Sequence, residues 1–287
     1  MQWLELIPPW LIILIVVHAV TMGTVATTRE AMELFPALGL VCCIGSGFEG
    51  VDLAAARARG IRVAHSPGAN AGSVADVAVG LMIASVRGFR AAELRLRRGE
   101  WEGNAAQRLA PCRGLAGRRL GIFGMGAIGR EIAGRARAFG MQIGYHNRHR
   151  RDGVDAVYFA SLAALADWCD VLVVAVRASD STRHAVDAAI LAALGPDGHV
   201  INIARGSVID EAALIEALAR GTIGGAGLDV YEHEPRVPAA LLALPNVVVL
   251  PHIGGASEDA QTAMQAMVIA NLDAYFAGEP VPTPVPG

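Results

Sequence analysis

A disulfide or zinc framework is the first thing this chain is short of. Its 287 residues hold four cysteines, Cys42, Cys43, Cys112 and Cys169, two of them adjacent in an apolar run and none in a C-x-x-C spacing. Neither a structural metal site nor a set of cross-links follows from that pattern. Buried free thiols in a reducing compartment are the simpler reading, which places the protein in the cytoplasm and expects no metal. An excess of charge is missing as well. The formal net charge is −3, so nothing pulls the chain electrostatically toward nucleic acid or an anionic membrane. Long apolar runs are few. Trp10 to Val20 is apolar apart from His18, but as a helix it would span only about 16 Å against a hydrocarbon core of roughly 30 Å. Pro8-Pro9 and Glu5 block its extension, and no basic stretch precedes it as a secretory signal requires. A buried β-strand over Leu11 to Val17 is expected instead. No internal repeat or low-complexity segment is visible.

The hydrophobic fraction of 53% and charged fraction of 18% describe a well-buried globular protein, with length enough for two domains. Its organising stretch is Gly124-Met125-Gly126-Ala127-Ile128-Gly129. An apolar strand, Leu120 to Phe123, precedes this G-x-G-x-x-G. A helical pattern, Arg130 to Phe139, follows it, and a second strand, Met141 to Tyr145, comes next. Strand, glycine turn, helix, strand is the context in which the motif marks a dinucleotide site. Gly124 permits the tight turn, Gly126 lets the backbone approach a pyrophosphate, and Gly129 lets the helix pack close to the strand.

Strand and helix patterns alternate on both sides of that motif, which predicts parallel sheets. Ahead of it, helices are expected over Thr27 to Phe35, Val51 to Arg59 and Ser73 to Phe89, the last with Asp76 near its start. Strands are expected over Leu38 to Ile44 and Ile61 to Ala64. A charged continuation, Arg90 to Trp101, follows the long helix. From residue 119 onward six strands separated by helices predict a doubly wound sheet. Gly45-Ser46-Gly47 reads either as an ordinary turn or as a backbone nest for a carboxylate.

Ligands of open parallel sheets bind beyond the carboxyl ends of the strands. Three late strands lead there into Arg205, Glu234 and His252. Arg205 offers a planar fork matched to a carboxylate. His252 can exchange a proton near neutral pH, and a neighbouring Glu234 would raise its pKa. Singly, each also reads as a strand-end cap, a solvated acid or a loop histidine.

The strings around them carry a resemblance. Asn202-Ile203-Ala204-Arg205-Gly206-Ser207-Val208-Ile209-Asp210-Glu211, Gly227-Leu228-Asp229-Val230-Tyr231-Glu232-His233-Glu234-Pro235 and Leu250-Pro251-His252-Ile253-Gly254-Gly255-Ala256-Ser257, following GMGAIG in this order, resemble the D-isomer-specific 2-hydroxyacid dehydrogenases. The resemblance runs from about residue 36 to the end. It implies a Rossmann domain, residues 89–258, inserted in a flavodoxin-like substrate domain, residues 1–88 and 259–287, that looks N-terminally incomplete. It implies a catalytic set of Arg205, Glu234 and His252, a substrate-carboxylate loop at Ser46 and Gly47, and a nicotinamide-amide contact at Asp229. Ala175, Val176 and Ala204 would line the cofactor, with His252 and Gly254 beside it, while Arg177 stands where many relatives are apolar. The reaction implied is reduction of a 2-keto acid to a D-2-hydroxy acid, and relatives are commonly homodimers.

Cofactor choice is read at the end of the second strand of the dinucleotide unit, where NAD enzymes carry an acid. Here the turn is Tyr145-His146-Asn147-Arg148-His149-Arg150-Arg151. Asn147 cannot repel a 2′-phosphate, and Arg148 and Arg150 can bind one, so NADP is expected over NAD. The turn is similar to that of NADPH-dependent glyoxylate/hydroxypyruvate reductases, which makes those keto acids the expected substrates. The same motifs also admit an inactive, truncated paralogue that binds NADP, or a cofactor-sensing corepressor-like protein.

Overall fold

In the computed structural model, residues 18–101 and 112–286 are described. Their elements in chain order are β1 (His18–Met22), α1 (Arg29–Glu33), β2 (Leu40–Ile44), α2 (Leu53–Ala58), β3 (Arg62–Ala64), α3 (Ala71–Val86), α4 (Phe89–Arg97), β4 (Arg119–Phe123), α5 (Ala127–Ala138), β5 (Gln142–His146), β6 (Val157–Phe159), α6 (Leu162–Trp168), β7 (Val171–Val174), α7 (Ala188–Leu194), β8 (His199–Asn202), α8 (Glu211–Arg220), β9 (Gly225–Leu228), α9 (Ala239–Ala243), β10 (Val247–Val249) and α10 (Glu258–Phe276). Two 3-10 turns, Asp180–Thr182 and Gly206–Val208, punctuate the second half. The chain divides into residues 1–70 with 255–287, and residues 71–254. Those boundaries replace the expected 88/89 and 258/259. The reason is α3, whose Val74, Ala78, Leu81, Met82 and Val86 share a core with Leu120, Ile132 and Ile201 of the larger unit.

In the smaller unit β1, β2 and β3 form a parallel sheet in that order, with Met22 beside Ile44 and Cys42 beside Ala64. Strand alternation sorts β2 onto two faces. Leu40 and Cys42 pack with Val268 of α10, whereas Val41 and Cys43 pack with Met32 of α1 and Ala55 and Ala56 of α2. The adjacent cysteines therefore point to opposite faces, and burial pushes both thiols up to about 11. Cys169 is also buried, but Cys112 is exposed, contrary to the expectation that all four are buried. Thr28 caps α1 by accepting from the Ala31 N–H. The strand expected over Leu11 to Val17 lies outside the described residues, and β1 stands just after it.

The larger unit is built on a seven-stranded, wholly parallel sheet ordered β10-β9-β8-β7-β4-β5-β6. Helices α3 and α5 bury Val79, Met82, Ile132 and Ala136 on one face, against Leu120, Ile122, Val171 and Val173. Helices α6 to α9 bury Leu165, Leu191, Leu214 and Leu241 on the other, against Leu172, Val174 and Val200. One strand more is present than the six expected. β6 is three residues long at the sheet edge, too short for a period-2 signal. Asp76 does not stand at a helix start as expected. Helix α3 starts at Ala71, so Asp76 lies beyond its first turn and instead meets Arg135 of α5, Oδ1 to Nε 2.6 Å. The expected charged continuation is a separate helix, α4, set at 65° to α3 beyond Gly88, whose φ is 61°. Among the described residues no single helix is long and apolar enough to cross a membrane.

Because β4 has β5 on one side and β7 on the other, the winding reverses between β4 and β7. The crevice that opens there lies at the carboxyl ends of the strands.

Candidate active site

The crevice begins at Gly124, directly after β4. Its φ is 110°, and a β-carbon there would lie 2.5 Å from the Val176 nitrogen and 2.6 Å from the Ala175 carbonyl carbon. Only glycine fits between this turn and the segment that follows β7. Gly129 packs back on the turn, where a β-carbon would come within 2.3 Å of the Gly124 oxygen. In front of Gly126, by contrast, a β-carbon would meet nothing within 4 Å. Gly126 is the N-cap of α5 and no side chain caps the helix. The first-turn N–H groups, opened by Ala127 and Ile128, thus face space that a pyrophosphate fits.

Asn147, at the end of β5, accepts the Met125 N–H through Oδ1 at 2.7 Å. The residue standing in for the usual acid therefore braces the glycine turn. Arg148 and Arg150 lie exposed beside it, and Arg148 Nη2 lies 3.5 Å from Ser181 Oγ. The Tyr145 hydroxyl accepts the Arg151 N–H at 2.9 Å and steadies this basic loop.

At the carboxyl end of β9, Asp229 is 2% exposed and collects three successive backbone donors. Its carbonyl accepts from His252 N–H at 2.9 Å, Oδ1 from Ile253 N–H at 2.8 Å and Oδ2 from Gly254 N–H at 2.8 Å. The Ser73 hydroxyl donates to the Gly254 carbonyl at 2.7 Å. This clamp holds His252 in a left-handed conformation, φ 54°, which a non-glycine residue adopts only when its surroundings impose it. Burial raises the Asp229 pKa, and the Ile253 and Gly254 N–H groups oppose it.

His252 Nδ1 then lies 2.7 Å from Glu234 Oε2. The other Glu234 oxygen accepts the Tyr231 N–H at 3.0 Å, and the Tyr231 hydroxyl donates to the Leu250 carbonyl at 2.8 Å. The bond to Glu234 raises the His252 pKa against burial and the neighbouring Arg205 charge. Burial opposes ionisation of Glu234, but the His252 and Tyr231 bonds and the charges of His252 and Arg205 outweigh it and hold its carboxyl low. With Nδ1 engaged, Nε2 is the ring atom left to exchange a proton.

Arg205 opens the turn after β8, and its Nη1 donates to the Ala204 carbonyl at 2.7 Å. Asn202 shapes that turn. Its amide accepts the Ala204 N–H at 3.1 Å and donates to the Arg205 carbonyl at 3.0 Å. Sequence reading missed Asn202, Tyr231 and the Asp229 clamp. Asn202 was detectable as an Asx turn ahead of Arg205, whereas nothing local marks where a strand-end carboxylate points.

Arg205, Glu234, His252, Asp229, Gly254, Ala175, Val176, Ala204 and the glycine turn are thus all found in the larger unit at the carboxyl side of its sheet. Ser46 and Gly47 belong to the smaller unit, after β2. There Ser46 Oγ lies 3.2 Å from Asn70 Oδ1 and accepts the Gly68 N–H at 3.4 Å, and the Phe48 N–H donates to Glu49 Oε2 at 2.8 Å.

A doubly wound sheet with a glycine turn at its reversal, and a histidine–carboxylate pair beside an arginine at the same edge, defines a dinucleotide-dependent oxidoreductase. The comparisons with known proteins narrow that class. Residues 79–254 match the family described as D-isomer specific 2-hydroxyacid dehydrogenase, NAD binding domain. The chain is 40% identical over 250 residues to glyoxylate/hydroxypyruvate reductase A of Arabidopsis thaliana, covering 87% of this chain and 79% of that one. It is 39% identical over 256 residues to hydroxyphenylpyruvate reductase of Plectranthus scutellarioides, covering 89% and 81%. Among solved structures, the NADPH-dependent glyoxylate/hydroxypyruvate reductase of Sinorhizobium meliloti, in complex with NADP and malonate, is 44% identical with a TM-score of 0.84, covering 93% and 82%. The chain belongs to the D-isomer-specific 2-hydroxyacid dehydrogenase family.

Proposed function

We propose that this protein reduces a small 2-keto acid, with glyoxylate and hydroxypyruvate as the leading substrates, to the D-2-hydroxy acid with NADPH. The observation that carries this reading is the 2.7 Å His252–Glu234 contact beside Arg205, on the sheet edge that also presents the glycine turn. Gly124 to Gly129 fit the pyrophosphate, Ala175, Val176 and Ala204 the neighbouring cofactor surface, and Asp229, His252 and Gly254 its nicotinamide end. Arg148 and Arg150 would take the 2′-phosphate, with Asn147 adding no repulsion. A nicotinamide cofactor supplies hydride when bound.

Arg205 holds the keto acid's carboxylate and polarises its ketone oxygen. The family resemblance adds the backbone N–H groups of Ser46 and Gly47 as further carboxylate contacts. His252 gives its Nε2 proton to the oxygen as charge develops there, and Glu234 keeps the imidazole protonated until that moment. The reverse sequence oxidises the hydroxy acid. The buried thiols of Cys42, Cys43 and Cys169 suit a reducing compartment such as the cytoplasm. Exposed Phe89, Leu96 and Trp101 support a homodimer.

The test is to mix the purified protein with NADPH and glyoxylate or hydroxypyruvate and follow the loss of NADPH absorbance. Turnover is expected, and failure to bind NADPH overturns the proposal. In the same assay Arg148→Ala should weaken NADPH roughly tenfold or more, the scale of one charge-assisted bond, and leave NADH little changed. Equal effects on both cofactors would remove the phosphate contact.

A further inference from the structure

Among the described residues two non-glycine positions take a left-handed backbone, His184 at φ 50° and His252 at φ 54°. Each pairs with a glutamate of the loop that follows β9. His252 meets Glu234, and His184 Nε2 lies 2.8 Å from Glu232 Oε1 across 48 residues of sequence. The first pair belongs to the proposed chemistry. The second has no role in it.

His184 touches both segments that carry that chemistry. Its backbone N–H donates to the Ser207 carbonyl at 2.8 Å, in the 3-10 turn that Arg205 opens. Its side chain holds Glu232, two residues before Glu234. Turn and loop are also in direct contact, since a β-carbon at Gly206 would fall 1.8 Å from the Tyr231 carbonyl carbon and 2.2 Å from the Glu232 nitrogen. Glu232 is anchored further. Its N–H donates to Glu211 Oε2 at 3.3 Å, and Arg183 Nη2 shares its Oε1 at 2.8 Å. A solvated ion pair would add little, but the Glu232 side chain is only 12% exposed, and the His184 backbone is held in a conformation that costs free energy unless its contacts impose it.

We propose that His184 and Glu232 form a positioning pair, which ties the turn bearing Arg205 to the loop bearing Glu234 and so sets the spacing of the Arg205–Glu234–His252 group. This rests on the reaction proposed above. It goes beyond that reading in making residues that touch no reacting atom responsible for the geometry of those that do. Displacements of about 1 Å at a reacting centre cost up to roughly a hundredfold in rate.

His184→Asn is the informative variant. Asparagine tolerates the left-handed backbone, so the bond to Ser207 stays, but its amide is too short to reach Glu232. The kcat for the 2-keto acid is expected to fall about tenfold, with the KM for NADPH changed less than about twofold. The high-pH fall in kcat/KM, where His252 loses its proton, should move to lower pH as Glu234 loosens its hold. His184→Gln, whose amide nitrogen reaches further, should restore most of the turnover. Glu232→Ala, which removes the acceptor altogether, gives an independent reading in the same direction, and decides the matter if His184→Asn does not fold.

Wild-type kcat with an unmoved pH limb in both His184→Asn and Glu232→Ala overturns the positioning pair. So does a loss of active protein alone, with kcat per folded molecule and the pH limb unchanged. A wild type that binds NADPH but turns over no 2-keto acid defeats the proposed reaction and this inference with it. Wild-type turnover with unaffected variants defeats this inference alone.

Discussion

At the amino edge of the seven-stranded sheet His199 opens β8 in a buried position, with Nδ1 2.9 Å from Ser85 Oγ. At the carboxyl edge His252 sits against Glu234. Burial, helped by the charge of Arg118, pushes His199 down to about 4, with Asp197 opposing. The bond to Glu234 pushes His252 the other way. The two imidazoles differ in their partners. Ser85 offers a neutral hydroxyl, and Arg118 spends its donors on the carbonyls of Gly114, Arg113 and Asp197. Buried with neutral partners and a nearby cation, a histidine gives up its proton; beside a carboxylate it keeps it. One edge is built to hold the sheet together, the other to hold a charge where a reaction needs it.

The sharpest way to break this contrast is His252→Ala. Loss of the proposed acid should lower kcat by roughly a hundredfold to ten-thousandfold, while NADPH affinity, measured by fluorescence titration, stays close to wild type. Near-normal turnover would strip the carboxyl edge of its assigned chemistry.

The amino edge is tested through stability. His199 is neutral when folded and has an ordinary pKa near 6.5 when unfolded. Between those limits the unfolded chain binds the extra proton, so stability falls as pH drops from about 6.5 to about 4, by up to about 3 kcal/mol in all. Urea unfolding at both ends of that window measures the loss, and His199→Gln should flatten it. An identical slope in wild type and variant would show that burial of His199 is not what acid attacks.

A smaller effect distinguishes two roles for Asp229. In Asp229→Asn one oxygen that accepts an N–H from Ile253 or Gly254 becomes an NH2 group. The His252 backbone then loses part of its clamp, and kcat should fall about tenfold, the scale of one strong hydrogen bond. If the whole effect appears in the KM for NADPH and none in kcat, Asp229 is a cofactor contact and not a clamp.

Sequence alone carried the strand–turn–helix–strand unit around Gly124 to Gly129 far, because glycine spacing and apolar runs are local signals. It also carried Arg205, Glu234 and His252, since each follows a recognisable strand. It did less well where the signal was short or distant. β6 has only three residues. The apolar pattern marks Ser73 as the helix start, but the helix begins two residues earlier at Ala71, which carries Asp76 out of the first turn. The apolar run marks Cys42 and Cys43 as buried, but only their alternation along β2 shows that they face two different cores.

By itself, then, the sequence determined the dinucleotide turn, the parallel strand order's building blocks and the chemical identity of the three charged groups. These depend on residue type and on contacts within a few positions. Tertiary structure alone decided that Asp229 clamps the His252 backbone, that Asn147 braces the glycine turn, and that His184 reaches Glu232. Each of those bonds joins residues far apart in the chain, and their directions are set by where the loops that follow β4, β5, β7, β9 and β10 leave the carboxyl edge of the sheet.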